Sequence, residues 1–188
     1  MKTITFFSYK GGVGRSMALL NTAWEMACLG KRVGIIDFDL DAPGLSLLPD
    51  FNPPKKHPPR RYGLTDLMED RLEAMGEKTF PPRLEDYGYL NNTAPEFKKF
   101  GSIFMLPAGK VEFPISENVA GPLSGIQNDF ESELKCEYLF IDSRTGLSYI
   151  TGITTVFLPD LVFVVLGLNK QNINGTLDVL EKLKQTKF

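Results

Sequence analysis

Lys10-Gly11-Gly12-Val13-Gly14-Arg15-Ser16 sets two cations and a hydroxyl around three glycines, a combination suited to holding a polyanion. Glycines let successive backbone N–H groups turn to one side, where they face a single anion. The basic side chains add charge, and a serine hydroxyl is a hard oxygen ligand for Mg2+. Such a loop works best where it joins a strand to a helix, because the helix N-terminus then brings its unpaired N–H groups and positive dipole end to the same point. The flanks meet that requirement: Thr3-Ile4-Thr5-Phe6-Phe7 reads as a buried strand, and Met17 to Leu29 repeats apolar residues at helical spacing through Met17, Leu20, Trp24 and Cys28. The plainer reading is a glycine-rich turn with Ser16 as N-cap, and the strand-loop-helix setting weighs against it.

Two more strands end in acids. Arg32-Val33-Gly34-Ile35-Ile36-Asp37-Phe38-Asp39 is followed by Leu40-Asp41-Ala42-Pro43-Gly44, and Tyr138-Leu139-Phe140-Ile141-Asp142 by Ser143-Arg144-Thr145-Gly146. Carboxylates at the carboxyl ends of parallel strands lie where open α/β sheets bind ligands. Any of Asp37, Asp39 and Asp41 could instead cap a turn, Asp41 most readily. One strand-plus-acid pattern is weak evidence; the glycine loop and two such acids in this order are strong.

With Tyr9 where the ordinary P-loop has glycine, Arg15 where it has lysine, and Lys10 before the double glycine, the loop resembles the deviant Walker A loop of the ParA/MinD family of ATPases, and more closely a variant group carrying KGGVGR. The resemblance implies ATP and Mg2+ as ligands. It gives Lys10 a catalytic role in trans, on the phosphates of a partner in a nucleotide-sandwich dimer, and makes Gly11, Gly12, Val13, Gly14, Arg15, Ser16 and Met17 the nucleotide-binding loop. Asp39 matches the second acid of the switch I Asp-x-Asp pair, which orients the attacking water near the metal shell. Asp142 matches the Walker B acid, so Ser16, Asp39 and Asp142 would serve the metal, the acids through water. Asp37, Asp41 and Arg144 fall to the switches; Arg144 is read as holding switch II or meeting a partner rather than as a phosphate ligand. Arginine at position 15 keeps its charge but is bulkier and more rigid than lysine, so binding is the safer expectation than turnover.

The rest of the chain fits one α/β domain: a doubly wound, mainly parallel sheet with helices on both faces, of the SIMIBI-like P-loop NTPase kind. Additional strands are predicted at Ser102 to Leu106 and Leu161 to Leu168, and helices at Gly63 to Met75, Glu117 to Leu134 and Ile173 to Gln185. By resemblance the sheet order is 3-2-4-1-5, counting the strands near Phe6, Ile36, Phe104, Phe140 and Val164. An irregular insertion is expected at about residues 49–100, with Thr79 to Lys99 a surface excursion. Its segment Pro53-Pro54-Lys55-Lys56-His57-Pro58-Pro59-Arg60-Arg61 is stiff and basic. In a chain of net charge −2, a solvated connection is the better reading of it than a nucleic-acid contact. Asn169-Lys170-Gln171-Asn172 looks superficially like a guanine-reading signature, but lacks its carboxylate and follows the wrong strand. The chain is expected to be truncated or followed by further domains.

Two cysteines, Cys28 and Cys136, and one histidine, His57, are too few for a disulfide framework or a zinc cluster. No signal peptide or spanning segment is read, which points to the cytoplasm. The function expected is a Mg2+-dependent ATPase, a phosphoanhydride hydrolase acting as a nucleotide-gated homodimer whose altered surface meets a protein partner. The alternatives are a non-hydrolysing ATP sensor or assembly module, and a small-molecule kinase or synthetase on the same scaffold.

Overall fold

A computed structural model describes residues 1–40, 43–45, 62–109, 120–146 and 148–185. Its centre is a six-stranded sheet of β1 (Lys2–Phe7), β2 (Arg32–Asp37), β3 (Tyr89–Asn91), β4 (Ser102–Leu106), β5 (Tyr138–Asp142) and β6 (Leu161–Val164), ordered β3-β4-β2-β5-β1-β6. The five strands expected from the sequence are parallel and stand in the expected order. β3 is the addition. It pairs antiparallel with the outer edge of β4, Tyr89 opposite Met105 and Asn91 opposite Ile103. The excursion at Thr79 to Lys99 is therefore partly ordered by the sheet: a 3-10 turn, Leu84–Asp86, buries Leu84 and leads into that strand. Three residues are too short a run for periodicity to reveal.

Side chains alternate across the sheet, and each face has its own core. Val33, Ile35, Ile103, Met105 and Phe140 pack with Leu19, Leu20, Ala23 and Ala27 of α1 (Arg15–Cys28). Ile36, Phe104, Leu106, Leu139 and Ile141 point the other way, to Leu64, Leu67 and Met68 of α2 (Leu64–Glu77) and Leu123, Ile126 and Phe130 of α3 (Ala120–Ser132). Burial on both faces is why these strands read as nearly continuous apolar runs, and each fully buried side chain of this size stabilises by about 1.5–3 kcal/mol. Gly34 is part of that packing, since a Cβ there would lie 2.3 Å from the Phe130 ring.

The apolar stripe of α1 differs from the one expected. Met17 is 56% exposed and Trp24 only half-buried, edge-on against Phe97 at 4.8 Å. The small residues Ala23 and Ala27, not the large ones, let the helix lie close to the sheet. Regular pairing of β6 stops at Val164 rather than Leu168, and α5 (Lys170–Gln185) begins three residues before Ile173, because the Asn169 side chain accepts from the Asn172 N–H at 2.9 Å and caps it. Between β5 and β6 the chain forms α4 (Tyr149–Gly152), capped by Ser148, and a π-helical turn over Ile153–Phe157. Residues 117–119 of the expected third helix, the basic segment with Lys55, Lys56, His57, Arg60 and Arg61, and Asp41 lie outside the described residues. No described helix is long and apolar enough to cross a membrane.

Candidate functional site at the carboxyl ends of the strands

Register brings the loop and the acids together. β5 lies between β1 and β2, with Asp142 level with Phe6 on one side and Asp37 on the other. The loop leaving β1 therefore crosses beside both carboxylates. Gly12 (φ 74°) and Gly14 (φ 89°) hold left-handed backbone, a conformation that disfavours any side chain. A Cβ at Gly11, Gly12 or Gly14 would meet no protein atom within 4 Å, so the space beside each of them is open. Gly14 makes no side-chain cap on α1, and the first turn of that helix carries no acid. Its leading N–H groups thus have neither side-chain nor carboxylate partner within the turn, which suits an anion.

Ser16 donates its hydroxyl to Asp142 Oδ2 at 2.6 Å. Arg15, 6% exposed, turns its guanidinium toward the acids: Nε donates to Asp142 Oδ1 at 2.5 Å and Nη2 to Asp39 Oδ2 at 2.8 Å, with Nη1 3.5 Å from Ser8 Oγ. Asp37 is fully buried. Its Oδ1 accepts the Asp39 N–H at 3.0 Å, and its Oδ2 has no partner. Among the described residues no three His, Cys, Asp or Glu side chains form a metal site by themselves. The donor set instead fits a Mg2+ ion shared with phosphate, for which the Ser16 hydroxyl would be a direct ligand and Asp39 and Asp142 would hold its waters.

Burial raises the Asp142 carboxyl, while Arg15 and Ser16 pull it back. Burial alone would lower the pKa of Arg15; Asp142 and Asp39 outweigh it and keep the guanidinium charged. Asp37 is pushed up to about 7, first by burial and then by Asp142. Its carboxyl titrates near 3.8 when unfolded, so the folded chain binds this proton more tightly, and the associated stability is lost as pH rises from about 4 to about 7. Asp37→Asn is expected to remove that slope and to be more stable than the parent above pH 7, by about 1 kcal/mol or more. Denaturant unfolding in a metal chelator from pH 5 to 8 checks this, and parallel pH profiles for the two proteins would refute it.

Residues 1–79 match the family model described as ParA: NUBPL iron-transfer P-loop NTPase. Over 63 residues the chain is 40% identical to the iron-sulfur cluster carrier protein of Bacillus subtilis (strain 168), a match covering 30% of this chain and 18% of that protein. The septum site-determining protein MinD of Pyrococcus horikoshii, solved with Mg-ADP, superposes with a TM-score of 0.67 at 20% identity over 98% of this chain and 65% of that one. The MinC:MinD cell division complex of Aquifex aeolicus gives a TM-score of 0.65 at 23% identity over 98% and 64%. This chain has the ParA/MinD-type P-loop NTPase fold. It spans just under two thirds of those solved chains and under one fifth of the curated relative.

Lys10 is half-buried on the loop and Met17 is exposed on the first turn of α1; Arg144 is half-buried just after β5. Asn169, the residue of the guanine-like segment, is engaged as the cap of α5. Tyr9 stands against α5, where a Cβ on Gly175 would fall 2.0 Å from its ring. That contact explains why an aromatic residue is accommodated at a position where the ordinary P-loop has glycine. Sequence reading placed Ser8 at the start of the loop without a role for it, and it missed the hydroxyls that back the loop after β5. Ser143 Oγ lies 2.6 Å from Thr154 Oγ1, and Thr151 Oγ1 donates to the Gly146 carbonyl at 3.0 Å. The local signal for that helix is Ser148, whose hydroxyl accepts the Thr151 N–H at 3.1 Å as an N-cap.

Proposed function

We propose that this chain binds Mg2+-ATP on the Gly11–Ser16 loop, hydrolyses it, and uses the nucleotide to gate a homodimer. The observation that carries the reading is the meeting of an open glycine loop, an uncapped helix N-terminus and the Ser16–Asp142 pair at one end of a parallel sheet. Backbone N–H groups of the loop would hold the phosphates, and Ser16 with Asp142 would orient the metal's ligands. Asp39, on the loop after β2, would fix the attacking water. Bound Mg2+ supplies charge neutralisation at the phosphates; the chain supplies position, which is most of what phosphoryl transfer asks of a protein. Titration calorimetry with ATP and Mg2+ tests the reading directly, and no heat of binding from the folded chain would end it.

Lys10 is half-buried on the loop, and the family resemblance gives it an action on a partner's phosphates rather than on its own metal. Lys10→Ala is expected to keep ATP affinity within about 10-fold, less than the loss of one hydrogen bond to a charged group in cis, while abolishing dimerisation by a non-hydrolysable ATP analogue. Light scattering decides it, and normal dimerisation removes the in-trans role.

The curated relative's name raises a second reading, carriage of an iron-sulfur cluster. Clusters need accessible thiolates. Cys136 is 6% exposed and burial pushes its thiol up to about 12, while Cys28 lies far off in sequence on α1. The nucleotide reading rests on more of the observed geometry. Anaerobic reconstitution with iron and sulfide, followed by visible absorption, separates the two.

A further inference from the structure

Arg15 opens α1, yet its side chain leaves the glycine loop and runs back to the sheet. Its guanidinium spans two carboxylates that belong to different elements: Asp142 at the end of β5 and Asp39 on the loop beyond β2. Both contacts have charge-assisted hydrogen-bond geometry, and the arginine is almost wholly buried. A lysine would hold this arrangement less firmly, because its compact ammonium lacks the rigid planar fork that presents separate donors to two acids. Asp37, level with Asp142 on the neighbouring strand, completes the cluster with a buried oxygen that no group satisfies.

We propose that Arg15 is an internal cation that takes the place of a divalent ion between Asp39 and Asp142, and that it must release these acids before Mg2+ can use them. The two states compete for the same oxygens. With the guanidinium in place its donors occupy Asp142 Oδ1 and Asp39 Oδ2, and a divalent ion brought beside it would meet its positive charge in a site of low dielectric. With the guanidinium withdrawn, Asp37, Asp39 and Asp142 face each other uncompensated, and a divalent cation becomes the strongest available counter-charge. Arg15 therefore ties the loop after β2 to β5 when no ligand is bound. It frees that loop only when metal and phosphate arrive together, the phosphate receiving the displaced guanidinium. The functional meaning rests on the nucleotide reading, but the displacement itself can be tested with the metal alone.

The experiment is thermal unfolding of the full chain without nucleotide, in chelator and in millimolar MgCl2, for the parent, Arg15→Gln and Arg15→Lys. The parent melting temperature is expected not to respond to Mg2+. Arg15→Gln should melt below the parent in chelator and rise by roughly 5 °C or more with Mg2+, the shift for a ligand at about 100 times its Kd in a chain of this size. Arg15→Lys should respond to an intermediate degree, and it carries the test if the glutamine variant does not fold. Adding Asp142→Asn to either variant should remove the response and so place the ion at this cluster. Equal Mg2+ responses in the parent and the Arg15 variants, or none in any of them, overturn the proposal. ATP calorimetry on the same proteins keeps the two ideas apart. Binding with equal Mg2+ responses removes the role of Arg15 alone, whereas the predicted melting pattern without ATP binding removes the nucleotide reading alone.

Discussion

Asp39→Ala is expected to retain ATP and Mg2+ binding while lowering single-turnover phosphate release by about 10²-fold or more, the scale of a lost general acid-base contribution. Asp39 is held by its own N–H on Asp37 and by one carboxylate oxygen on Arg15, and its side chain is 17% exposed. Once Arg15 withdraws, that carboxylate is the acid of the cluster with the most access to solvent, and hence to an attacking water. Trapped in the nucleotide-bound state, the variant should also form a longer-lived dimer. Turnover equal to that of the parent would take the water-positioning role away from Asp39. A parent with no turnover above background would favour the sensor or assembly module, in which ATP locks subunits without being cleaved. In that case Arg15→Lys should raise hydrolysis, since lysine releases the acids more readily.

Gly14→Val is the second large effect. At φ 89° and ψ 16° this residue occupies left-handed backbone, where a β-branched side chain is strained by about 1–2 kcal/mol. A Cβ there would meet no protein atom, so packing does not resist the change and the sheet should still form. The loss falls on the ligand. A side chain on the open side of the loop, or a shift of the backbone to relieve strain, separates the N–H groups from any phosphate they hold. Each hydrogen bond to a charged group contributes about 1.5–3 kcal/mol, so losing two predicts at least about a 100-fold fall in ATP affinity. Circular dichroism should show the fold intact and calorimetry the loss of binding; an unchanged affinity would show that phosphate sits elsewhere.

Much of this molecule was legible in its residues. The five parallel strands are apolar runs because both faces are covered, and periodicity was enough to find them, while their order came from the family resemblance carried by the glycine loop and the strand-terminal acids. Two details were not legible. β3 is stabilised by hydrogen bonds to β4 rather than by its own pattern, so a three-residue window carries no signal. The buried stripe of α1 is set by how closely the helix approaches the sheet, which selects Ala23 and Ala27 over Met17.

By itself the sequence determined which chemical groups stand at the ends of which elements: glycines and cations after β1, acids at the ends of β2 and β5. Local rules suffice for that, because a turn residue or a strand terminus is recognisable from its immediate neighbours. Only the tertiary structure decided which of those groups meet. Arg15 read as a phosphate ligand from its place in the loop, and no local pattern could show its guanidinium turned to Asp39 and Asp142, residues separated from it by 24 and 127 positions. That contact exists because β5 inserts between β1 and β2, a pairing across long stretches of chain. Burial at the junction then leaves a charged side chain no better partner than the nearest opposite charge.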